Sequence, residues 1–231
     1  MDFAAFRVAW LHKTLGLNVA LPVLPLHGPR AHWWRSGQGF LSGDVLDTLH
    51  AEAQVVWDVR RLVSWIRNQG GPPVGLYGLS LGGYSAALVS AVESGLSCVI
   101  AGIPATDFVR LAQMHNAPVH LQLAEKCGLD WDSIRALYTV ISPLKLKPLV
   151  SKERRFIFAG RGDCIVPAEH VRDLWEHWER PRINWYDGSH VSFFWESSVT
   201  EFVHQALRVT ILKDASIAGS PDEFVDLRSA D

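Results

Sequence analysis

The serine at position 80, within the sequence Gly-Leu-Ser-Leu-Gly-Gly of residues 78–83, is the first candidate for chemistry in this chain. A glycine two residues before and two residues after a serine is typical of a sharp strand-to-helix turn that lifts the hydroxyl out of a sheet. The apolar run 74–77 predicts the strand, and a helical pattern follows to about Glu93. Ser80 is therefore a candidate nucleophile, and the N–H of Leu81 at the helix N-terminus is a candidate oxyanion donor.

The two flanking glycines are part of this prediction. We expect Gly78 and Gly82 to be required because side chains there would clash where the backbone doubles back. The motif alone is a weak signal, and the strand–turn–helix context is what strengthens it.

A serine hydroxyl needs a base, and the base needs an acid that orients it. Asp163 follows an apolar run at 155–159, and His190 follows another at 183–186. The carboxyl ends of parallel strands share one edge of a sheet, so we expect Ser80, Asp163 and His190 to meet there. Asp107, which follows the strand predicted at 97–103, is a rival acid.

Alternating helices and strands must position these residues. We expect helices at 2–15, 44–68 (with Asp44 as its N-cap), 81–93, from Pro167 onward and at 198–212, and strands at 18–24, 74–77, 97–103, 155–159 and 183–186. Residues 106–148 show helical pieces and suggest a lid-like insertion. The alternation predicts an α/β fold, a mostly parallel sheet flanked by helices, in a core of residues 1–213 with a loose polar tail at 214–231.

Composition excludes several classes of protein. The 231 residues are 48 % hydrophobic and 20 % charged, which is enough to build one folded domain, and the net charge of −2 argues against a nucleic-acid partner. Three cysteines in no metal or disulfide pattern suggest reduced thiols and a cytoplasmic location. We find no membrane-spanning run, no signal-peptide pattern, and no residues that imply a cofactor or metal.

Three stretches of the sequence, residues 74–86, 155–167 and 183–190, resemble the α/β-hydrolase superfamily, and the order of elements fits almost from end to end. The resemblance implies that Ser80 is the nucleophile, Asp163 the acid and His190 the base. The sequences Gly-Leu-Ser-Leu-Gly-Gly and Gly-Asp-Cys-Ile-Val-Pro are similar to those of serine esterase and prolyl-peptidase-like branches, and more loosely of lipase-like ones. Members of these branches hydrolyse esters, thioesters or peptides.

The beginning of the chain departs from that superfamily, which has three strands before its first helix and a second oxyanion donor after the third. A His-Gly pair often marks that donor loop, but here Pro29 follows His27-Gly28 and has no N–H. We therefore expect 2–15 to be the family's first helix, 18–24 its fourth strand, and the first three strands to be absent, because Met1 is an internal methionine or the protein is a short form. The edge of the strand at 18–24 would then be exposed and is a candidate homodimer contact.

The sequence thus predicts a serine hydrolase that cleaves a carboxylic ester or thioester of a small-molecule or lipid-like acyl substrate. Ser80 attacks the carbonyl, His190 takes its proton, and Asp163 orients His190. Two alternatives remain: an impaired or non-catalytic interaction module that lacks the oxyanion loop, and a peptidase or acyltransferase that uses the same three residues.

Overall fold

A computed structural model of the chain describes residues 2–32, 34–41 and 44–218. Its helices and strands follow one another along the chain as α1 (Asp2–Ala5), α2 (Val8–Leu15), α3 (Val45–Arg67), β1 (Gly75–Leu79), α4 (Leu81–Ser90), β2 (Cys98–Gly102), α5 (Phe108–His115), α6 (Pro118–Lys126), α7 (Trp131–Leu137), β3 (Arg155–Gly160), α8 (Ala168–His177), β4 (Arg182–Tyr186), α9 (Ser197–Leu207) and α10 (Lys213–Ala218).

The four strands form one parallel sheet in the order β1-β2-β3-β4. Every residue of β2 and β3 is buried, as expected where helices cover both faces of a sheet. One apolar cluster joins the sheet to α2 and α9, and a second joins it to α3, α4 and α8. The structure therefore confirms the predicted α/β fold, with helices α5 to α7 inserted after β2.

Helix α3 leads the chain back to the strand that carries the serine. Asp44 caps it as predicted, since its carboxylate accepts from the N–H of Leu46 at 2.8 Å. Its buried face includes Glu52 and Val55, whereas Ala53 between them is exposed. A buried carboxyl group, that of Glu52, is the unexpected feature of this helix.

The prediction of a strand at 18–24 was wrong. Among the described residues the sheet has four strands, and residues 16–24 belong to none of them. Leu17 and Val19 do pack against the core, but Pro22 and Pro25 have no N–H to give to a ladder. Within the described part of the chain β1 is therefore the first strand of the sheet, and a dimer through the edge of 18–24 loses its structural basis.

The two ends of the described chain also differ from expectation. The predicted helix at 2–15 is broken at Arg7, whose φ of 49° is left-handed. The first five residues of the predicted loose tail, 214–218, belong to α10, where Asp214 pairs with Arg154 at 2.5 Å. The rest of that predicted tail, residues 219–231, lies outside the described residues, as does Met1. None of the described helices is long and apolar enough to cross a membrane.

Candidate active site

The turn between β1 and α4 holds Ser80 in a strained backbone conformation. Its φ of 53° and ψ of −113° lie outside the regions that L-residues ordinarily occupy, and it forms the N-cap of α4. Its N–H donates to the carbonyl of Gly102, at the end of β2, at 2.9 Å. This hydrogen bond fixes the turn to the neighbouring strand.

The glycines of the turn do not all have the role that the sequence predicts. A Cβ on Gly78 would lie 1.9 Å from the carbonyl oxygen of Gly82, so a side chain there is excluded. A Cβ on Gly82 would have no neighbour within 4 Å, so the predicted clash at this position is wrong. The second close approach is at Gly83, where a Cβ would come within 3.0 Å of the Gly102 carbonyl oxygen.

Ser80, His190 and Asp163 are brought together at the carboxyl edge of the sheet. His190 Nε2 lies 2.9 Å from Ser80 Oγ, and His190 Nδ1 lies 2.6 Å from Asp163 Oδ2. Because a carboxylate accepts hydrogen bonds and does not donate them, Nδ1–H donates to Asp163. Nε2 is then the acceptor for the hydroxyl proton of Ser80, which is the arrangement that proton transfer from the serine requires.

The loop after β3 holds the Asp163 carboxylate in place. Its Oδ1 accepts from the N–H groups of Ile165 and Val166 at 2.9 and 2.8 Å, and its side chain is only 2 % exposed. With Oδ1 occupied by the backbone, Oδ2 faces His190. The carboxylate therefore has a single orientation relative to the imidazole.

The loop after β4 holds His190 through serines that sequence reasoning missed. The Oγ of Ser192 accepts from the N–H of Ser189 at 2.6 Å, and the hydroxyl of Tyr186 donates to the Ser189 carbonyl at 2.9 Å. The Gly188 carbonyl accepts from the N–H of Gly162 at 3.0 Å, which ties this loop to the one that carries the aspartate. A serine two residues after the histidine was the only signal in the sequence.

The N–H of Leu81 lies at the N-terminus of α4 and donates to none of the residues that the structure describes. It is therefore free to donate to an oxyanion. Beside Leu81 is a cavity of about 550 Å³, whose other lining residues are His27, Gly37, Gln38, Gly39, Phe40, Leu41 and Asp47. The expectation from the sequence was that His27-Gly28 is not the donor loop, and no sequence signal pointed to the loop at 37–41.

Asp107, the rival acid, has another role. Its Oδ1 accepts from the N–H of Arg110 at 3.0 Å and caps α5. Within the described residues the carboxylate that contacts His190 belongs to Asp163, and Asp107 makes no hydrogen bond to this imidazole.

The described residues contain neither a disulfide nor a cluster of three candidate metal ligands. All three cysteines are free, with Cys98 buried and Cys127 and Cys164 exposed. Burial raises the pKa of Cys98 to about 11, so this thiol stays protonated at neutral pH. The described part of the chain contains no group of three His, Cys, Asp or Glu side chains that could hold a metal ion.

Two curated proteins resemble the chain in sequence. Both are uncharacterized proteins of Mycobacterium tuberculosis, from strains CDC 1551 and H37Rv, and each is 46 % identical over 224 residues. The match covers 93 % of this chain and 52 % of each relative, so the chain spans about half the length of the curated relatives it matches. No protein-family model matches the sequence.

Solved structures resemble the chain in fold at low sequence identity. Acetyl xylan esterase 1 from Thermoanaerobacterium matches with a TM-score of 0.58 and 15 % identity, over 84 % of this chain and 60 % of its own. The α/β hydrolase GrgF from Penicillium matches with a TM-score of 0.51 and 14 % identity, over 70 % and 73 %. An esterase of Pyrococcus furiosus matches with a TM-score of 0.50 and 17 % identity, over 68 % and 62 %. The parallel sheet, the strand–serine–helix turn and these neighbours agree, and the chain has the α/β-hydrolase fold.

Proposed function

We propose that the chain is a serine hydrolase that cleaves a carboxylic ester or thioester through an acyl-enzyme formed on Ser80. The observation that carries this proposal is the unbroken hydrogen-bond chain from Asp163 through His190 to Ser80, with atom separations of 2.6 and 2.9 Å. These are hydrogen-bond distances at which a serine can pass its proton to an imidazole.

In the proposed mechanism Ser80 Oγ attacks the acyl carbonyl while its proton moves to His190 Nε2. The resulting imidazolium keeps its Nδ1–H on Asp163 and then gives the Nε2 proton to the leaving alcohol or thiol. Water repeats these steps on the acyl-enzyme and releases the acid. The N–H of Leu81 and the partial positive charge at the N-terminus of α4 stabilise the oxyanion in both steps.

The exposed apolar side chains of the insertion after β2 are the basis for proposing an ester with a largely apolar acyl group. Helices α6 and α7 have no fully buried residue, and Val119, Leu123 and Leu137 are 65 %, 59 % and 49 % exposed. We propose that the insertion at 106–148 is a lid that these side chains line toward the substrate. Structural neighbours named as esterases support an ester as the substrate.

Labelling with a fluorophosphonate probe tests the proposal. The wild type should label, Ser80→Ala should not label at all, and His190→Ala should label about 10³-fold more slowly. Asp163→Asn should also label slowly, while its matched control Asp107→Asn should label at the wild-type rate. If a folded wild type does not label, the proposal is wrong and the interaction-module alternative is favoured. If Ser80→Ala labels as fast as the wild type, the probe reacts at another residue and the proposal is wrong as well.

Product analysis then separates the reactions that share this mechanism. A panel of p-nitrophenyl esters, thioesters and proline-containing peptides should show hydrolysis of the esters and thioesters. Cleavage of peptides alone, or transfer of the acyl group to an added alcohol in place of water, would replace the esterase assignment by a peptidase or an acyltransferase.

A further inference from the structure

Glu52 is a buried carboxyl group without a hydrogen-bond partner. It lies on the face of α3 that packs against α4, its exposure is 0 %, and neither of its oxygens has a partner among the described residues. Burial raises its pKa to about 8, so the group carries its proton at neutral pH. A hydrophobic residue would fill this position at lower cost, which raises the question of what the carboxyl does.

The polar group that faces Glu52 belongs to the helix that begins at the catalytic candidate. Ser85 on α4 faces the carboxyl closely enough to lower its pKa against the larger effect of burial, although the two groups do not meet hydrogen-bond geometry. The Ser85 hydroxyl in turn donates to the carbonyl of Leu81 at 3.1 Å. Leu81 is the residue whose N–H points toward the oxyanion in the mechanism above.

We propose that Glu52 is a positioning residue for the hydrolase reaction: buried against α4 beside Ser85, its side chain supports the first turn of this helix so that the Leu81 N–H serves the oxyanion. This inference rests on the proposed function. It adds to the site a residue of α3, the helix that packs against α4. Glu52 and Ser85 act through Leu81 and do not touch the reacting atoms.

The groups around Glu52 determine what happens when it ionises. From α4 it faces Ser85 and the buried phenol of Tyr84, whose raised pKa reflects burial first and then the charge of Glu52. Asp107, the N-cap of α5, and Tyr138, directly after α7, act on the same phenol. Across the described residues no arginine, lysine or histidine compensates the charge of Glu52. An ionised Glu52 would therefore place an uncompensated negative charge behind the residue that must stabilise an oxyanion.

The experiment compares the rate constant for fluorophosphonate inactivation between about pH 6 and 10 for the wild type and two variants. The wild-type rate should fall about tenfold as the pH rises above the pKa of Glu52, over the pH range in which far-UV circular dichroism shows that each protein is folded. Glu52→Gln should keep the wild-type rate at neutral pH and stay within about twofold up to the alkaline end, because an amide cannot ionise. Glu52→Met, which is apolar and of similar length, should react about five- to tenfold more slowly at neutral pH although it folds at least as stably.

Glu93→Gln is the matched control, since Glu93 is also a buried glutamate facing the α3–α4 contact but is paired with Arg60 and Arg67. It should lose stability and keep the alkaline fall of the wild type. The inference is overturned if Glu52→Gln shows the same alkaline fall as the wild type, if the wild type shows no such fall, or if Glu52→Met reacts as fast as the wild type. A folded wild type that does not label at any pH overturns the proposed function itself, and this inference with it.

Discussion

Replacing Gly78 and Gly82 by alanine, one at a time, should change the free energy of unfolding in opposite directions. A Cβ on Gly78 would lie 1.9 Å from the carbonyl oxygen of Gly82 and 2.3 Å from its carbonyl carbon. Ordinary contacts need about 3.5 Å, so the backbone of β1 or of α4 must move by roughly 1.5 Å. Overpacking costs about 1–3 kcal/mol where side chains can yield, and here only backbone can, so we expect Gly78→Ala to lose about 3 kcal/mol or more.

Gly82→Ala meets no such obstacle. Nothing lies within 4 Å of its Cβ position, and the residue is in the first turn of α4. Alanine is favoured over glycine in a helix by about 0.5–1 kcal/mol, so this variant should be stabilised by up to that amount. Gly83→Ala is an intermediate control, because its Cβ would come within 3.0 Å of the Gly102 carbonyl oxygen and 3.1 Å of Pro104.

Urea unfolding of the three variants, followed by far-UV circular dichroism and extrapolated with a common slope, measures these differences. The order of stability should be Gly82→Ala above the wild type, then Gly83→Ala, then Gly78→Ala. If Gly82→Ala loses as much stability as Gly78→Ala, both glycines are required as the sequence predicts, and the steric reasoning that separates the two positions is refuted.

Three further substitutions test other parts of the structure. Asp163→Asn should lower kcat for ester hydrolysis about 10⁴-fold because an amide cannot hold the imidazole tautomer, whereas Asp107→Asn should leave kcat unchanged in the same assay. Glu93→Gln should cost about 1–3 kcal/mol in urea unfolding, because it weakens charge-assisted hydrogen bonds from two arginines. The free energy of unfolding of the wild type should fall by roughly 5 kcal/mol as the pH rises from about 4.5 to about 8, because the folded pKa of Glu52, about 8, exceeds the ordinary 4.5. Glu52→Gln should abolish this fall.

The sign of the two glutamate effects follows from the direction of each pKa. Burial raises the pKa of Glu93, but its two arginine partners outweigh burial and lower it below the ordinary value. Its contribution is therefore present at neutral pH and lost as the pH falls through its folded pKa. For Glu52, whose folded pKa is raised, stability is complete below about pH 4.5 and is lost as the pH rises to about 8. A Glu52→Gln variant whose stability follows the wild-type pH curve would contradict this reasoning.

The candidate site could be predicted because each of its parts is a local signal. Ser80, Asp163 and His190 each follow a short apolar run, and parallel strands bring their carboxyl ends to one edge regardless of how far apart they lie in sequence. Strand β4 ends at the predicted residue, and the ends of β3 and β1 lie one and two residues beyond the predicted ones. No information from distant residues was needed to propose that these three side chains meet.

The predictions that were wrong concern features that are not local, because they depend on what packs against a residue. The run at 18–24 is as apolar as a strand. A strand also needs a neighbouring strand to pair with, and the residues of the run do not show whether one is present. Glu52 lies at helical spacing between Leu49 and Val56, so its position on the buried face was visible, while its residue type suggested solvent. The same holds for Gly82, whose open surroundings are set by the packing around α4.

Backbone hydrogen bonds at and beyond the ends of the strands connect the segments that carry the site residues. Ser80 N–H bonds to the carbonyl of Gly102 at the end of β2, and Ile103 N–H bonds to that of Phe158 in β3, at 2.9 and 2.7 Å. Gly162 N–H then bonds to the Gly188 carbonyl at 3.0 Å. The loops that carry the serine, the aspartate and the histidine are thus linked in strand order by backbone bonds alone. Because these bonds are independent of the side chains they position, we expect Ser80→Ala and His190→Ala to keep the wild-type backbone, so a loss of reactivity in either variant reports chemistry and not folding.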